Sequence, residues 1–425
     1  MAASSIETAE TGGAARVHAC RLCGDPLRDT FVDLGKSPLC ESYLSAEQLD
    51  QVEHFYPLHV WICAGCLLVQ LQAYVPGSEI FTDYAYFSAY SDDWVAHAAR
   101  YVDLVTERLG LDARSLVLEV GSNDGYLLQH FVRKRVPALG VDPAANVAAA
   151  ARERGVETIV DFFETRLARQ LVAEGRSADL VVANNVLAQV PELNDFVAGI
   201  ELVLAPHGVV TVEVPHVVRL VEGLQFDTIY HEHYSYFSLT TLVRLFATHG
   251  LEIFDVEELP SHGGSLRIYG KRAGDELHRA RPAVDAILAR EGEGGYDSVA
   301  GYRDFGDRAA ETKWSLLQLL IGLRRDGKRV AGYGAPGKGN TLLNYCGIRS
   351  DLLEFTVDRN PYKQGKFLPG THIPIYAPER IEAERPDYIL ILPWNLEREI
   401  TEQLSFVREW GARLIVPIPS PRILP

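Results

Sequence analysis

The chain has 425 residues, 47% of them hydrophobic and 23% charged, with a formal net charge of −16. This suits two or three globular domains and excludes a disordered or fibrous chain. The acidic balance argues against a general nucleic-acid binder, which needs a basic face for phosphate, although a small anion could be held where a few cations cluster. No run of apolar residues is long enough for a membrane span. The small, polar first residues lack the basic and apolar regions of a signal peptide. A floppy terminus is expected over 1–13, and a cytoplasmic location for the protein.

From residue 14 to 75 the informative feature is Cys20-x2-Cys23 and Cys63-x2-Cys66, with 39 residues between the pairs. Paired cysteines at this spacing read as four thiolate ligands of one tetrahedral, structural Zn²⁺. A closed sulfur shell leaves no position for catalysis. Cys40 and Cys346 have no partner at ligand spacing and read as core fillers.

Residues 76 to 275 form the next expected domain. Five aromatics crowd residues 81–91, Tyr84 and Tyr86 among them; most suit a core, and the tyrosines could also line a ligand mouth. A helix is expected over Ser91–Gly110. The apolar run ending Leu116-Val117-Leu118-Glu119-Val120-Gly121-Ser122-Asn123-Asp124-Gly125 reads as a buried strand entering a glycine turn. Asp142, seventeen residues past Gly125, closes a second strand and can accept bonds from both ribose hydroxyls. The glycine spacing is wrong for a dinucleotide, and the carboxylates would repel phosphate. A cationic ligand carrying ribose fits better: S-adenosylmethionine (SAM). Further strands are expected at 157–160, 179–183 and 208–214, giving a parallel sheet. Asp161 and Phe162 follow the third strand, where an acid and a ring could receive adenine. Asn184 ends the fourth, at the edge where such sheets bind ligands.

The stretch Tyr230-His231-Glu232-His233-Tyr234-Ser235-Tyr236-Phe237 is the most chemically loaded. It lacks the spacing that aims two imidazoles at one metal, so acid–base work is the better reading. A histidine can remove a proton that a neighbouring carbonyl has acidified, and phenol or imidazole donors can hold the enolate oxygen.

The last part, 276 to 425, opens with an acidic helical segment over 281–325, broken near Gly292–Gly295, and continues as a second α/β unit. After the strand at 328–331, Gly332-Tyr333-Gly334-Ala335-Pro336-Gly337-Lys338-Gly339-Asn340 satisfies G-x-G-x-x-G, with Asp358 twenty-one residues beyond Gly337. It falls one residue short of a P-loop, because Gly339 stands where a hydroxyl is needed. A glycine turn at a helix start, with Lys338 in it and Lys363 and Lys366 nearby, offers N–H groups and charge to a diphosphate. Asn395 lies close behind the strand at 388–393. The first loop is acidic and suits a sulfonium; the second is basic and suits a diphosphate.

The four-cysteine module, Val-Leu-Glu-Val-Gly-Ser-Asn-Asp-Gly, Asn-Val-Leu-Ala … Val-Pro-Glu-Leu-Asn-Asp-Phe, Tyr-His-Glu-His-Tyr-Ser-Tyr-Phe-Ser and Ser261-His262-Gly263-Gly264-Ser265-Leu266-Arg267 occur in that order. The chain resembles the SAM-dependent sugar C-methyltransferases of antibiotic deoxysugar pathways, from about Cys20 onward. That resemblance implies methylation of a carbon beside the 4-keto group of a dTDP-linked deoxysugar, C3 favoured over C5. It also implies His233 as general base, with Tyr84, Tyr230 and Glu232 lining the sugar site. Tyr86, Gln189 and His262 complete the expected substrate set with Lys338, Gly339, Asn340, Asp358, Lys363 and Asn395. At Gln189 the chain departs from the family, which usually carries histidine there; an amide hydrogen-bonds but carries no proton.

The expected fold class is α/β: a small N-terminal zinc-binding module, a central Rossmann-like SAM methyltransferase domain and a C-terminal Rossmann-like nucleotide-sugar domain. A monomer or weak oligomer is expected, with no nucleic-acid or membrane partner. An O- or N-methyltransferase, a nicotinamide oxidoreductase using Gly332–Gly337, and a non-enzymatic interaction protein are the competing readings.

Overall fold

The computed structural model describes residues 18–81, 88–90 and 92–424. The expected floppy terminus, and Tyr84 and Tyr86, lie outside the described residues.

Three antiparallel strands, β1 (Asp29–Ser37), β2 (Tyr56–Ile62) and β3 (Val69–Leu71), form most of a small sheet. In β2 the period-two alternation is plain: Leu58, Val60 and Ile62 are buried, while His59 and Trp61 are half-exposed.

The central sheet starts with β4 (Val117–Val120), β5 (Ala138–Val141), β6 (Glu157–Ile159), β7 (Ala178–Asn184) and β8 (Leu204–Pro215). These answer to the five expected strands, and the expected helix is Asp92–Leu109. Next in the chain, β9 (Ser235–Tyr236) leaves the central sheet and closes the small one, Val69 pairing with Tyr236. An unanticipated antiparallel pair, β10 (Leu251–Leu259) and β11 (Ser265–Arg272), completes the central sheet in the order β10-β11-β8-β7-β4-β5-β6. Every residue of β4 is buried, as a strand covered on both faces requires. It runs parallel to both β5 and β7, so the order reverses there and opens a crevice at the carboxyl ends.

Helices Pro282–Glu293 and Phe305–Arg325 lead to the third sheet. Its strands are β12 (Val330–Tyr333), β13 (Thr356–Val357), β14 (Ile375–Tyr376), β15 (Tyr388–Ile391), β16 (Arg413–Val416) and β17 (Arg422–Ile423), ordered β14-β13-β12-β15-β16-β17. All pairs are parallel except the last.

One apolar cluster draws residues from all three parts. Phe31 and Val60 of the small sheet pack in the same cluster as Leu220, Phe305, Leu342 and Ile415. Phe31 stacks on Phe305 with centroids 4.5 Å apart; burying such a ring contributes about 1.5–3 kcal/mol. Among the described residues no helix is long and apolar enough to cross a membrane.

Candidate active site

In the small module, the sulfurs of Cys20, Cys23, Cys63 and Cys66 all lie within 4.8 Å of one another. The Cys20–Cys66 and Cys23–Cys63 separations are 3.5 Å. Each pair sits on a turn closed by a left-handed residue: Gly24 (φ 81°) donates its N–H to the Cys20 carbonyl, and Leu67 (φ 63°) to that of Cys63. Within the Cys20–Cys66 pair the first thiol is driven down and the second up, since the two share a proton; burial adds to the second. A dication would remove both. Tetrahedral Zn–S bonds of ~2.3 Å set sulfurs roughly 3.8 Å apart, so the residues fit zinc.

A cavity of about 970 Å³ runs from the carboxyl ends of β4 and β7 to the C-terminal domain. At its inner end Gly121 (φ 67°) and Gly125 (φ 76°) turn the chain left-handed. The Asp142 carboxylate accepts from the N–H of Asn123 and of Ala144, both at 2.9 Å. Asn123, itself left-handed at φ 49°, accepts from the Ser88 N–H at 3.0 Å. Burial pushes Glu119 well above the carboxylate range, and Asp142 and Asp124 push it further. Glu119 Oε2 and Asn184 Oδ1 are buried without a partner. A buried acid and amide left unsatisfied are what a cationic, polyhydroxylated ligand would fill. Phe162 shows its ring at the rim, whereas Asp161 is engaged by Arg166 at 2.7 Å. Gly125 packs against Ala151 rather than lining the cavity.

Midway along, His233, Tyr230, Glu232, Gln189 and His262 border the same space. The His233 ring lies 4.2 Å from that of Tyr230. Burial, then the nearby His262, lower its basicity to about 3, so it is a neutral imidazole able to accept a proton. Burial likewise drives His262 down to about 4; it stands at φ 54°, edge-on to Trp94. His231 turns the other way, toward the Pro57 carbonyl at 3.3 Å and the ring of Tyr56, and does not line the cavity.

At the outer end, Lys338 Nζ donates to Asn395 Oδ1 at 2.9 Å, and both line the cavity. Burial lowers the Lys338 ammonium, while the nearby Asp227 raises it. The other residues expected with them lie elsewhere. Asp358 accepts from the Ala335 N–H at 2.7 Å and Lys363 donates to the Ala335 carbonyl at 2.9 Å, so both brace the loop. Asn340 is buried and donates to the Cys40 carbonyl. A Cβ on Gly339 would sit 3.1 Å from Leu392, so that glycine serves helix–strand packing.

Three features escaped the sequence reading. His97, on the helix Asp92–Leu109, lines the cavity and stacks on Trp94 at 4.9 Å. Behind it Glu213 of β8 faces His97 Nε2 at 3.3 Å and accepts two bonds from Arg267, its cross-strand partner on β11. Burial raises Glu213, yet His97 and Arg267 together bring it below the ordinary value. Charged residues inside otherwise apolar strands were the signal available for this pair. Arg359 also lines the cavity and pairs with Glu399 at 3.3 Å. Cys40, read as a core filler, instead borders the cavity and donates to Glu232.

Comparison with known proteins bears directly on this arrangement. A candidate zinc binding domain matches residues 20–81, a methyltransferase domain residues 94–256, and a C-methyltransferase C-terminal domain residues 260–419. C-methyltransferase NovU of Streptomyces niveus is 39% identical over 408 residues, 96% of this chain and 97% of that one. The chain belongs to the C-methyltransferase family. Solved structures are also similar. Magnesium protoporphyrin IX methyltransferase from Synechocystis is 15% identical over 46% of this chain and 92% of that chain, with a TM-score of 0.35. The 1,6-didemethyltoxoflavin-N1-methyltransferase of Burkholderia thailandensis is 18% identical over 50% and 97%, with a TM-score of 0.34.

This C-methyltransferase is an enzyme that uses SAM and carries a structural zinc centre. Glu119, Asn123, Asp142 and Asn184 are the residues that would hold SAM, which supplies an electrophilic methyl group on a sulfonium. The four cysteines would hold the zinc.

Proposed function

We propose that this C-methyltransferase methylates a dTDP-linked 4-keto-deoxysugar at a carbon beside the ketone, C3 favoured by the resemblance of its motifs. The observation that carries the reading is the composition of one continuous cavity. The buried Asp142 stands at one end, the neutral His233 against Tyr230 in the middle, and Lys338 with Asn395 and Arg359 at the other. A sugar diphosphate laid along it would set its phosphates near Lys338 and its ring beside His233.

His233 takes the proton α to the C4 ketone. Tyr230 donates to the developing enolate oxygen, and Glu232 and Gln189 hold sugar hydroxyls. The ketone is chemically required, since no ordinary base deprotonates an unactivated sugar carbon at useful rates. The carboxyls of Glu119 and Asp142 stand at the cofactor end; burial raises both, and a bound sulfonium would draw them back toward the charged form. The thiol-rich zinc module suits a reducing compartment, hence the cytoplasm. A monomer or weak oligomer completes the proposal.

Calorimetric titration of dTDP into enzyme saturated with S-adenosylhomocysteine tests it. Saturable binding near one per chain, lost in Lys338→Ala, is expected. Absence of dTDP heat, with S-adenosylhomocysteine still bound, would leave a C-methyltransferase of another substrate class.

A further inference from the structure

Between β1 and β2 the chain runs as a strap that leaves the zinc module and crosses to the C-terminal domain. It is pinned at three points. The Cys40 carbonyl accepts from Asn340 Nδ2, the Tyr43 hydroxyl donates to the Ala335 carbonyl at 2.6 Å, and Leu44 exchanges both backbone bonds with Phe367 at 3.0 and 2.9 Å. Gly337 comes so close that a Cβ there would stand 2.7 Å from the Cys40 sulfur. So held, the strap brings Cys40, 2% exposed, against Glu232, whose Oε2 accepts from the thiol at 3.0 Å.

We propose that Cys40 is a positioning residue of the active site: its thiol orients the Glu232 carboxylate that borders the cavity beside His233. Burial, with Glu232 and Glu41 nearby, drives the thiol well above its ordinary value, so it stays protonated and can only donate. The groups facing this carboxylate are few. Cys40 and Glu41 come from the strap, Glu41 lying 3.6 Å from Lys363; Tyr234 precedes β9 and Tyr236 lies in it, and burial holds both phenols protonated. Glu232 itself is brought near neutrality: burial raises it to about 7, and the Cys40 bond is the first force opposing that rise. The zinc module thereby supplies part of the catalytic centre.

The inference rests on the proposed reaction only for its effect on rate, so its test needs no sugar. The protonated-carboxyl infrared band, taken as parent minus Glu232→Gln, reports the titration of Glu232. In Cys40→Ala the midpoint should rise by about one pH unit, the worth of one hydrogen bond to a charged group. In Cys40→Ser, which keeps a donor, it should stay near the parent's. Turnover should fall in Cys40→Ala and recover in Cys40→Ser, with the KM for SAM unchanged. A second check uses the parent fold. Of six cysteines, four bind zinc, leaving Cys40 and Cys346 to give S–H stretching bands. One of these bands should shift in Glu232→Gln. An unmoved midpoint in Cys40→Ala, or unshifted S–H bands in Glu232→Gln, would overturn the inference and leave the sugar assignment untouched.

Discussion

Replacing Arg267 by methionine would remove the cation from a carboxylate that the central sheet keeps dry. Glu213 is fully buried and Arg267 nearly so, and both guanidinium bonds to Glu213 run between directly paired strand residues. Removing one partner of such a pair costs about 3–5 kcal/mol, because the other charge is left with only the His97 contact at 3.3 Å. The further Arg267 contacts, to the half-exposed Glu257 at 2.9 Å and over the Tyr101 ring at 4.7 Å, add little beside that. At ~2–4 °C per kcal/mol for a domain of this size, the melting transition should fall by on the order of 10 °C. The pH dependence carries a sign. In the parent, Glu213 lies below its ordinary value, so it is ionised folded and unfolded above pH ~5 and adds no slope there. In Arg267→Met, burial dominates and the folded carboxyl rises above its unfolded value. The native state then binds the extra proton, and the deficit is greatest near pH 8, shrinking as pH falls toward 5.5. Adding Glu213→Gln should recover much of the loss, since the lone charge is gone. Thermal melts of the three variants at both pH values decide the matter. A loss of less than about 2 °C, or one that does not change with pH, would refute the reasoning.

His233→Asn should retain S-adenosylhomocysteine affinity but lose at least ~10²-fold in turnover, the usual worth of a general base; methyl transfer at parental rate excludes this role. Gly121→Ala should weaken S-adenosylhomocysteine binding about tenfold or more. A Cβ there meets Val186 at 2.4 Å at a φ of 67°, and equal affinity by calorimetry would contradict the assigned pocket. Chelation of the metal, or Cys63→Ser, should release about one zinc per chain and lower the first thermal transition, with activity falling alongside. Metal analysis that finds no zinc in active enzyme would remove the centre. Acidification from pH 7 toward 5 should destabilise the fold partly through His233: its folded value near 3 lies below the unfolded one, so the unfolded chain gains the proton first. His233→Asn should flatten that slope in denaturation midpoints.

Much of the fold was readable because the pattern repeats. Apolar runs gave β4 to β8 within a few residues, the first of them ending in a glycine turn, and paired cysteines gave the module. The hairpin of β10 and β11 was missed because its strands mix charges, Glu252, Asp255, Glu257 and Lys271 among them, with apolar residues, and local alternation blurs. At the site, Asp142 was legible as a cavity-lining acid from its offset to the glycine turn, whereas Glu119 is buried outside the lining. The glycine-rich loop near Lys338 was harder. Its motif matches a phosphate turn, yet Gly334 and Gly339 are explained by the contacts of Pro393 and Leu392. The Cys40–Glu232 and His97–Glu213 contacts join residues 192 and 116 positions apart. No local spacing rule reaches such distances.

The placement of β9 bears on how this chain matures. The small sheet lacks its fourth strand until Ser235 and Tyr236 have been made, long after the cysteines can take up metal. Until then β3 exposes an unpaired edge, a template for pairing with another chain. An excised module ending near residue 75 should therefore bind zinc and still self-associate. The histidine-rich stretch, drawn between two sheets, reaches its working shape only when both have closed.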